Sequence, residues 1–245
     1  MQEKELKTSV GQRVAIGIIA FFMLGSIIAS YAAIIVSNSK SSDSSSSKLS
    51  DERMKYYENK YAEAVANFKE ASKADYEVFS QYLSDVKAYN ETSANEGGVQ
   101  ARDLFKGSGR TLSEKDSDYL AYYVGWCADE SIFDSSLDND KNPSSFVKAL
   151  DVSLGMIEGW YQGAQGMKIG GVREITVPGS LAYADQTEIC GGYNKPLKFL
   201  IMAVSAEDPL KTAAANVDAA YMMLQYANYG IDYEKEVVTQ SETGE

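Results

Sequence analysis

Histidine is absent from all 245 residues. Its absence removes Ser-His-Asp and Cys-His nucleophile arrangements and every histidine-based metal site. Cysteine is nearly absent too: Cys127 and Cys190 form no CxxC pair and are too few for a disulfide framework. They are either buried thiols or one bridge, and because isolated cysteines commonly act as small hydrophobes, thiols are the expectation. Basic residues number 23 against 35 acidic ones, and the resulting net charge of −12 argues against a nucleic-acid partner. The run Lys106-Gly107-Ser108-Gly109-Arg110 is glycine-rich but lacks the GK[ST] ending and flanking helix of a phosphate loop, so it reads as a turn. Neither a cofactor nor a metal is expected.

With 44% hydrophobic and 24% charged residues the composition is globular, and the length leaves room for one ordinary domain plus extensions. Val14 to Val36 is an uncharged run of 23 residues, enough at about 1.5 Å per residue to cross a ~30 Å hydrocarbon core. It reads as a transmembrane helix. Residues 1–13 are then the cytoplasmic N-terminus, carrying Lys4, Lys7 and Arg13 close to the span, although Lys40 and Lys48 beyond it weaken the asymmetry. A cleaved signal peptide ending at Ser30-Tyr31-Ala32 is the alternative. Gly25, Ala29 and Ala33 recur every four residues and give the span one smooth face on which a second copy could dock.

Residues 37–50, with nine serines, form a tether that cannot bury a core. From Asp51 to Asn90 there is no Pro or Gly, and Met54, Tyr57, Tyr61, Ala64, Phe68 and Ala71 keep a three-four spacing. The phase then slips at Lys73–Asp75 to Phe79, Tyr82, Val86 and Tyr89, giving one long helix or a hairpin of two over 51–90, with the slip as the bend. This segment is expected to be a stalk or a self-association surface, a second route to a homodimer, with a substrate-binding arm as the alternative. Asn90–Gly98 reads as a linker, and residues 207–245 as an alanine-rich helix followed by an acidic tail.

Between these lies Gly155 to Tyr183. Met156, Ile157 and Trp160 share a helical face, while Val172, Ile175 and Val177 are β-formers placed after Gly170-Gly171. So short a helix must lie against a sheet. Upstream, Tyr119 to Cys127 is dense in aromatic and β-branched residues and predicts a central strand.

Several motifs occur here in one order: Tyr122-Tyr123-Val124-Gly125, Phe133-Asp134-Ser135-Ser136, Met156-Ile157-Glu158-Gly159-Trp160, Gly166 to Gly171, Leu181-Ala182-Tyr183 and Pro196 to Leu200. In order and spacing this set resembles the FK506-binding (FKBP-type) peptidyl-prolyl isomerases, from about Val99 to Ala206. The resemblance implies an α+β fold over 99–206, in which an antiparallel curved sheet of about five strands wraps one short helix. It implies isomerisation of X-Pro bonds, assisting the folding of exported or surface proteins, with proline-containing or unfolded chains as partners. By the same resemblance Trp160 is the pocket floor, Tyr123, Phe133 and Phe199 the walls, and Met156 and Ile157 the rim. The Ile157 N–H and the Tyr183 hydroxyl are then the donors to substrate carbonyls. Asp134 is the carboxylate beside the twisting amide, held by a hydroxyl such as that of Tyr123.

The sequence departs from the family pattern at three points. The pocket aromatic expected after Pro143 falls on Ser144 unless Phe146 takes its place, Ala184 stands where glycine is usual, and Cys190 stands near a position for a bulky aliphatic. A looser pocket would bind proline while holding the twisted amide less firmly. Two further readings therefore stand beside the enzyme: a non-catalytic proline-binding chaperone, and a membrane-anchored scaffold.

Overall fold

In the computed structural model the described residues are 49–85, 88–138, 145–185, 188–207 and 209–234. The apolar run Val14–Val36, most of the serine-rich tether and nearly all of the acidic tail lie outside them. No helix among the described residues is long and apolar enough to cross a membrane. The described chain falls into two compact units, one from Ser72 to residue 207, the other joining residues up to Ala71 with those from Pro209 onward. Residues 51–90, read from sequence as one stalk, divide between these units at Ser72.

The first unit is built on an antiparallel sheet. Its strands are β1 (Gln100–Phe105), β2 (Leu120–Trp126), β3 (Ile132–Ser135), β4 (Leu150–Asp151), β5 (Val172–Val177) and β6 (Leu197–Val204). The order is β1-β5-β6-β2-β3, with the two-residue β4 on the same edge of β2 as β3. Strand alternation sends Ala121, Tyr123, Ile175, Val177, Phe199, Ile201 and Ala203 to one face, where they form a single buried cluster with the helix that follows β4. Tyr122 points the other way and stacks on Phe146 at 3.6 Å between centroids, with Phe79 and Tyr76 packed on the same ring. Both faces are thus covered, and every residue of β5 and β6 is buried.

The preceding segment is helical in pieces: α1 (Asp51–Ala71), α2 (Lys73–Phe79), a 3-10 turn over Ser80–Asp85, and α3 (Glu91–Glu96). The last forms where sequence composition reads as a linker, because Asn90 caps it by accepting the Ser93 N–H at 3.1 Å. The helix on the sheet is α4 (Glu158–Ala164), only seven residues long, and it lies very close to β5. A Cβ on Gly159 would sit 2.1 Å from Val177 Cγ1, so the approach requires glycine. Its far end is tied by buried Arg173, which donates to the carbonyls of Gly163 (2.9 Å) and Gln165 (2.8 Å) while pairing with Asp103 at 2.6 Å.

Cys127 and Cys190 are not thiols: they form a disulfide, with Cα atoms 5.4 Å apart. The pairing of β2 with β6 explains it. Trp126 lies opposite Lys198, so the chain leaving β2 and the chain approaching β6 meet at one end of the sheet.

In the second unit α1 packs along α5 (Leu210–Asn228). Arg53 and the Tyr57 hydroxyl both donate to Asp232, at 2.6 Å and 2.7 Å, and Lys60 and the Tyr56 hydroxyl donate to Glu234, fixing residues 232–234 on α1.

Candidate active site

The site is built where α4 begins over the inner face of the sheet. Trp160, fully buried, is its floor, with the rings of Tyr123 and Phe199 edge-on at 5.9 and 5.4 Å. Phe133 packs edge-on against Phe199 at 5.5 Å. Gly125 makes room for both rings, since a Cβ there would come within 2.6 Å of Phe133 and 3.2 Å of Phe199. Met156 and Tyr183, both half-buried, pack on the same cluster, and Ile157 is buried within it. The structure thus brings together Trp160, Tyr123, Phe133, Phe199, Met156, Ile157 and Tyr183, the residues expected to form the pocket.

Asp134 stands at the exposed edge of this pocket. The Tyr123 hydroxyl donates to its Oδ2 at 2.5 Å, and the Ser135 N–H donates to Oδ1 at 2.9 Å. Both carboxylate oxygens are therefore oriented, which is how a charge is held in place without neutralising it. Burial, and after it the negative charge of Asp134, pushes the Tyr183 hydroxyl up to about 12, so it remains a proton donor at any physiological pH. That hydroxyl makes no hydrogen bond among the described residues, and neither does the N–H of buried Ile157, the residue that opens α4. Buried backbone N–H groups are seldom left unpaired, and one at a pocket rim is a ready donor to an incoming carbonyl.

Two tyrosines that the motifs do not single out touch the same structure. Trp160 Nε1–H donates to the Tyr119 hydroxyl at 2.9 Å, and the Met156 N–H donates to the Tyr161 hydroxyl at 3.2 Å. Strand alternation places Tyr119 on the face of Ala121 and Tyr123, a signal available in sequence. No local signal marks Tyr161. Phe146, weighed as a replacement wall at the Ser144 position, is stacked on Tyr122 across the sheet and does not enter the pocket. Ser144 lies outside the described residues. The loop after Tyr183 is pinned by the disulfide and by Lys195 pairing with Glu91 at 2.8 Å, and the turn that leads into Tyr183 is held by the Gly179 N–H donating to Asn95 Oδ1 at 2.8 Å. A separate cleft of about 360 Å³, lined in part by Tyr89, Arg102, Glu174 and Lys198, lies on the opposite face and is no part of this pocket. Among the described residues no cluster of three or more acidic or cysteine side chains could hold a metal ion.

Residues 109–203 match the family model for the FKBP-type peptidyl-prolyl cis-trans isomerases. An FK506-binding protein of Neisseria meningitidis serogroup B is 35% identical over 111 residues, spanning 44% of this chain and 93% of that protein. The chain belongs to the FKBP-type peptidyl-prolyl isomerase family. The peptidyl-prolyl cis-trans isomerase Mip of Chlamydia trachomatis is 31% identical over 148 residues, covering 57% of each chain. The probable FKBP-type isomerase FkpA of N. meningitidis serogroup B is 30% identical over 133 residues, 54% of this chain and 46% of that one. The protein is accordingly a peptidyl-prolyl cis-trans isomerase of the FKBP type.

The chemistry of this isomerase asks for neither nucleophile nor metal. Its barrier, ~18–20 kcal/mol, is the loss of amide conjugation on twisting the X-Pro bond. A dry aromatic floor, a fixed carboxylate and unengaged donors at the rim can favour the twisted amide over both planar forms.

Proposed function

We propose that this isomerase acts on X-Pro bonds of exported or surface proteins, held near a membrane by the run Val14–Val36 with the sheet unit outside the cytoplasm. The disulfide supports this placement, because such bridges persist in oxidising compartments and are rare in the cytosol. Slow prolyl isomerisation limits folding, so a tethered isomerase meets its clients where they emerge. Within the site the substrate proline packs on Trp160 between Tyr123, Phe133 and Phe199, with Met156 at the rim. The Ile157 N–H and the Tyr183 hydroxyl bind flanking carbonyls, and Asp134 stabilises the twisted amide electrostatically.

One observation carries the assignment: Asp134 is oriented by Tyr123, while the Ile157 N–H and the Tyr183 hydroxyl, around the same indole floor, make no hydrogen bonds among the described residues. The test is a pair of variants assayed on a short X-Pro peptide and on an FK506-like pocket ligand. Trp160→Ala should abolish both binding and turnover. Asp134→Asn should lower kcat about tenfold or more and leave affinity within a factor of two. Equal loss of affinity and turnover would reduce Asp134 to a shape-forming residue, and full activity in Trp160→Ala would place the site elsewhere.

Placement is tested by adding protease to intact cells, which should remove the sheet unit. Phe146, turned away from the pocket, favours a second use of the same site as a weak holding surface for unfolded chains. Suppression of client aggregation by the slowed Asp134→Asn protein at the parent's level would support that use.

A further inference from the structure

The beginning of α4 poses a problem that its own sequence does not solve. The helix has only seven residues, its N-cap is Ile157, which offers no side-chain acceptor, and it follows Gly155 at φ +101°. A helix start of this kind lacks the local bond that Ser, Thr, Asp or Asn would supply. Yet the floor indole and the Ile157 N–H both hang on it, and a misplacement of about 1 Å at a reacting centre can cost a hundredfold in rate. Something outside the helix backbone must fix it.

Two hydroxyls do so. Tyr161, one residue past the floor, turns back to accept the Met156 N–H at 3.2 Å, so the Gly155–Met156 peptide, one residue ahead of the Ile157 N–H, is held to the helix's own second turn. Tyr119, buried just ahead of β2, accepts the indole N–H of Trp160 at 2.9 Å, with both side chains inaccessible to water. Burial also raises the pKa of the Tyr119 hydroxyl, which keeps it neutral and rules out a role as a charged group. Phe in place of either tyrosine would preserve shape while deleting one bond. Without Tyr119 the indole donor is stranded in the core; without Tyr161 the Gly155–Met156 peptide is released and Met156, which carries the chain into Ile157, can turn.

Resting on the active-site reading given above, we propose that Tyr119 and Tyr161 are positioning residues for isomerisation: Tyr119 sets the plane of the indole floor, and Tyr161 aims the Ile157 N–H at the substrate carbonyl. Neither touches substrate. The two bonds have separable consequences. A carbonyl donor that wanders weakens substrate binding, whereas a floor that tilts weakens the hold on the twisted amide.

The experiment uses the full chain, with kcat and KM resolved on a short X-Pro peptide. Tyr161→Phe should raise KM about three- to tenfold with kcat within a factor of two, the scale of one hydrogen bond. The Met156 amide should exchange with solvent at least tenfold faster. Tyr119→Phe should lower kcat about tenfold with KM little changed, and the Trp160 indole proton should move upfield in the NMR spectrum. That resonance is readily assigned because the chain has only two tryptophans. A KM within a factor of two of the parent, or a Met156 amide as slow as before, would overturn the role of Tyr161. Parental kcat in Tyr119→Phe, or an unmoved indole proton, would overturn that of Tyr119. Trp160→Ala separates the two levels: if it stays active, the site reading itself fails, whereas an inactive Trp160→Ala beside parental Tyr119→Phe and Tyr161→Phe sinks only the brace.

Discussion

Replacing both cysteines, as Cys127→Ala with Cys190→Ala, should lower the thermal midpoint of the sheet unit by roughly 10–20 °C. The bridge spans 63 residues, and closing a loop of that length in the unfolded chain removes entropy worth about 4 kcal/mol at 25 °C. For a unit of this size each kcal/mol moves the midpoint by a few degrees. The folded chain has other fastenings on either side of Tyr183, namely the Asn95 bond to Gly179 before it and the Lys195–Glu91 pair after it, so the native geometry there should survive. The effect is therefore expected in stability, with X-Pro turnover at 10 °C within a factor of two of the parent. Calorimetry on the full chain without reductant, beside a peptide isomerisation assay, measures both quantities. A midpoint shift below about 3 °C would refute the unfolded-chain account. Lost turnover at an unchanged midpoint would mean that the bridge acts on the folded loop instead.

Three other outcomes follow from the same contacts. Tyr183→Phe should keep the fold and lower kcat/KM about fivefold, the worth of one hydrogen bond, as read in the same peptide assay. Arg110 holds the carboxyl of Asp116 down at about 2, so the stability this pair adds is present above the ordinary value of 3.8 and is lost as pH falls toward 2; Asp116→Asn should remove that part of the acid-unfolding curve. Burial raises Tyr183 to about 12 and also raises Tyr119 and Tyr122, so stability is full below pH 10 and drains as pH rises through 10–12; absorbance at 295 nm should show these phenols ionising only as structure is lost, and a reversible titration of every tyrosine near pH 10 in the folded state would contradict it.

Much of the pocket was legible because each part sits within a short local pattern. The strand spacing of Tyr119 to Cys127 puts Tyr123 on one face, and Phe133-Asp134 falls in the next strand beside β2. The sequence predicts a helix carrying Met156, Ile157 and Trp160 on one face, but the helix begins only at Glu158, so Met156 and Ile157 reach the pocket from the extended chain ahead of it. The end of α1 was legible for the same reason: the apolar phase slips at Lys73–Asp75, and α1 ends at Ala71. What these patterns could not supply is anything whose partner lies far away in sequence. Cys127 reads as a small buried hydrophobe until β2 and β6 are paired, and only then does Cys190 come within bridging distance. Phe146 could be weighed for the pocket only while its strand neighbours were unknown; stacking on Tyr122 commits it to the other face.

The two tyrosines at α4 show the same limit from the opposite direction. Tyr161 lies only five residues from Met156, yet its bond is made beside Gly155 at φ +101°, a backbone conformation that no apolar periodicity encodes. Helix starts usually announce themselves through a Ser, Thr, Asp or Asn cap, and here that residue is missing. A missing cap at a site whose geometry must be tight is itself informative: it directs the search to groups on other elements that can take over the work. Arg173 at the far end of α4, from β5, and Tyr119 beside its first turn, from the approach to β2, are such groups. The short helix is therefore oriented from the sheet rather than by its own propensity, and the pocket floor inherits the rigidity of the strands beneath it.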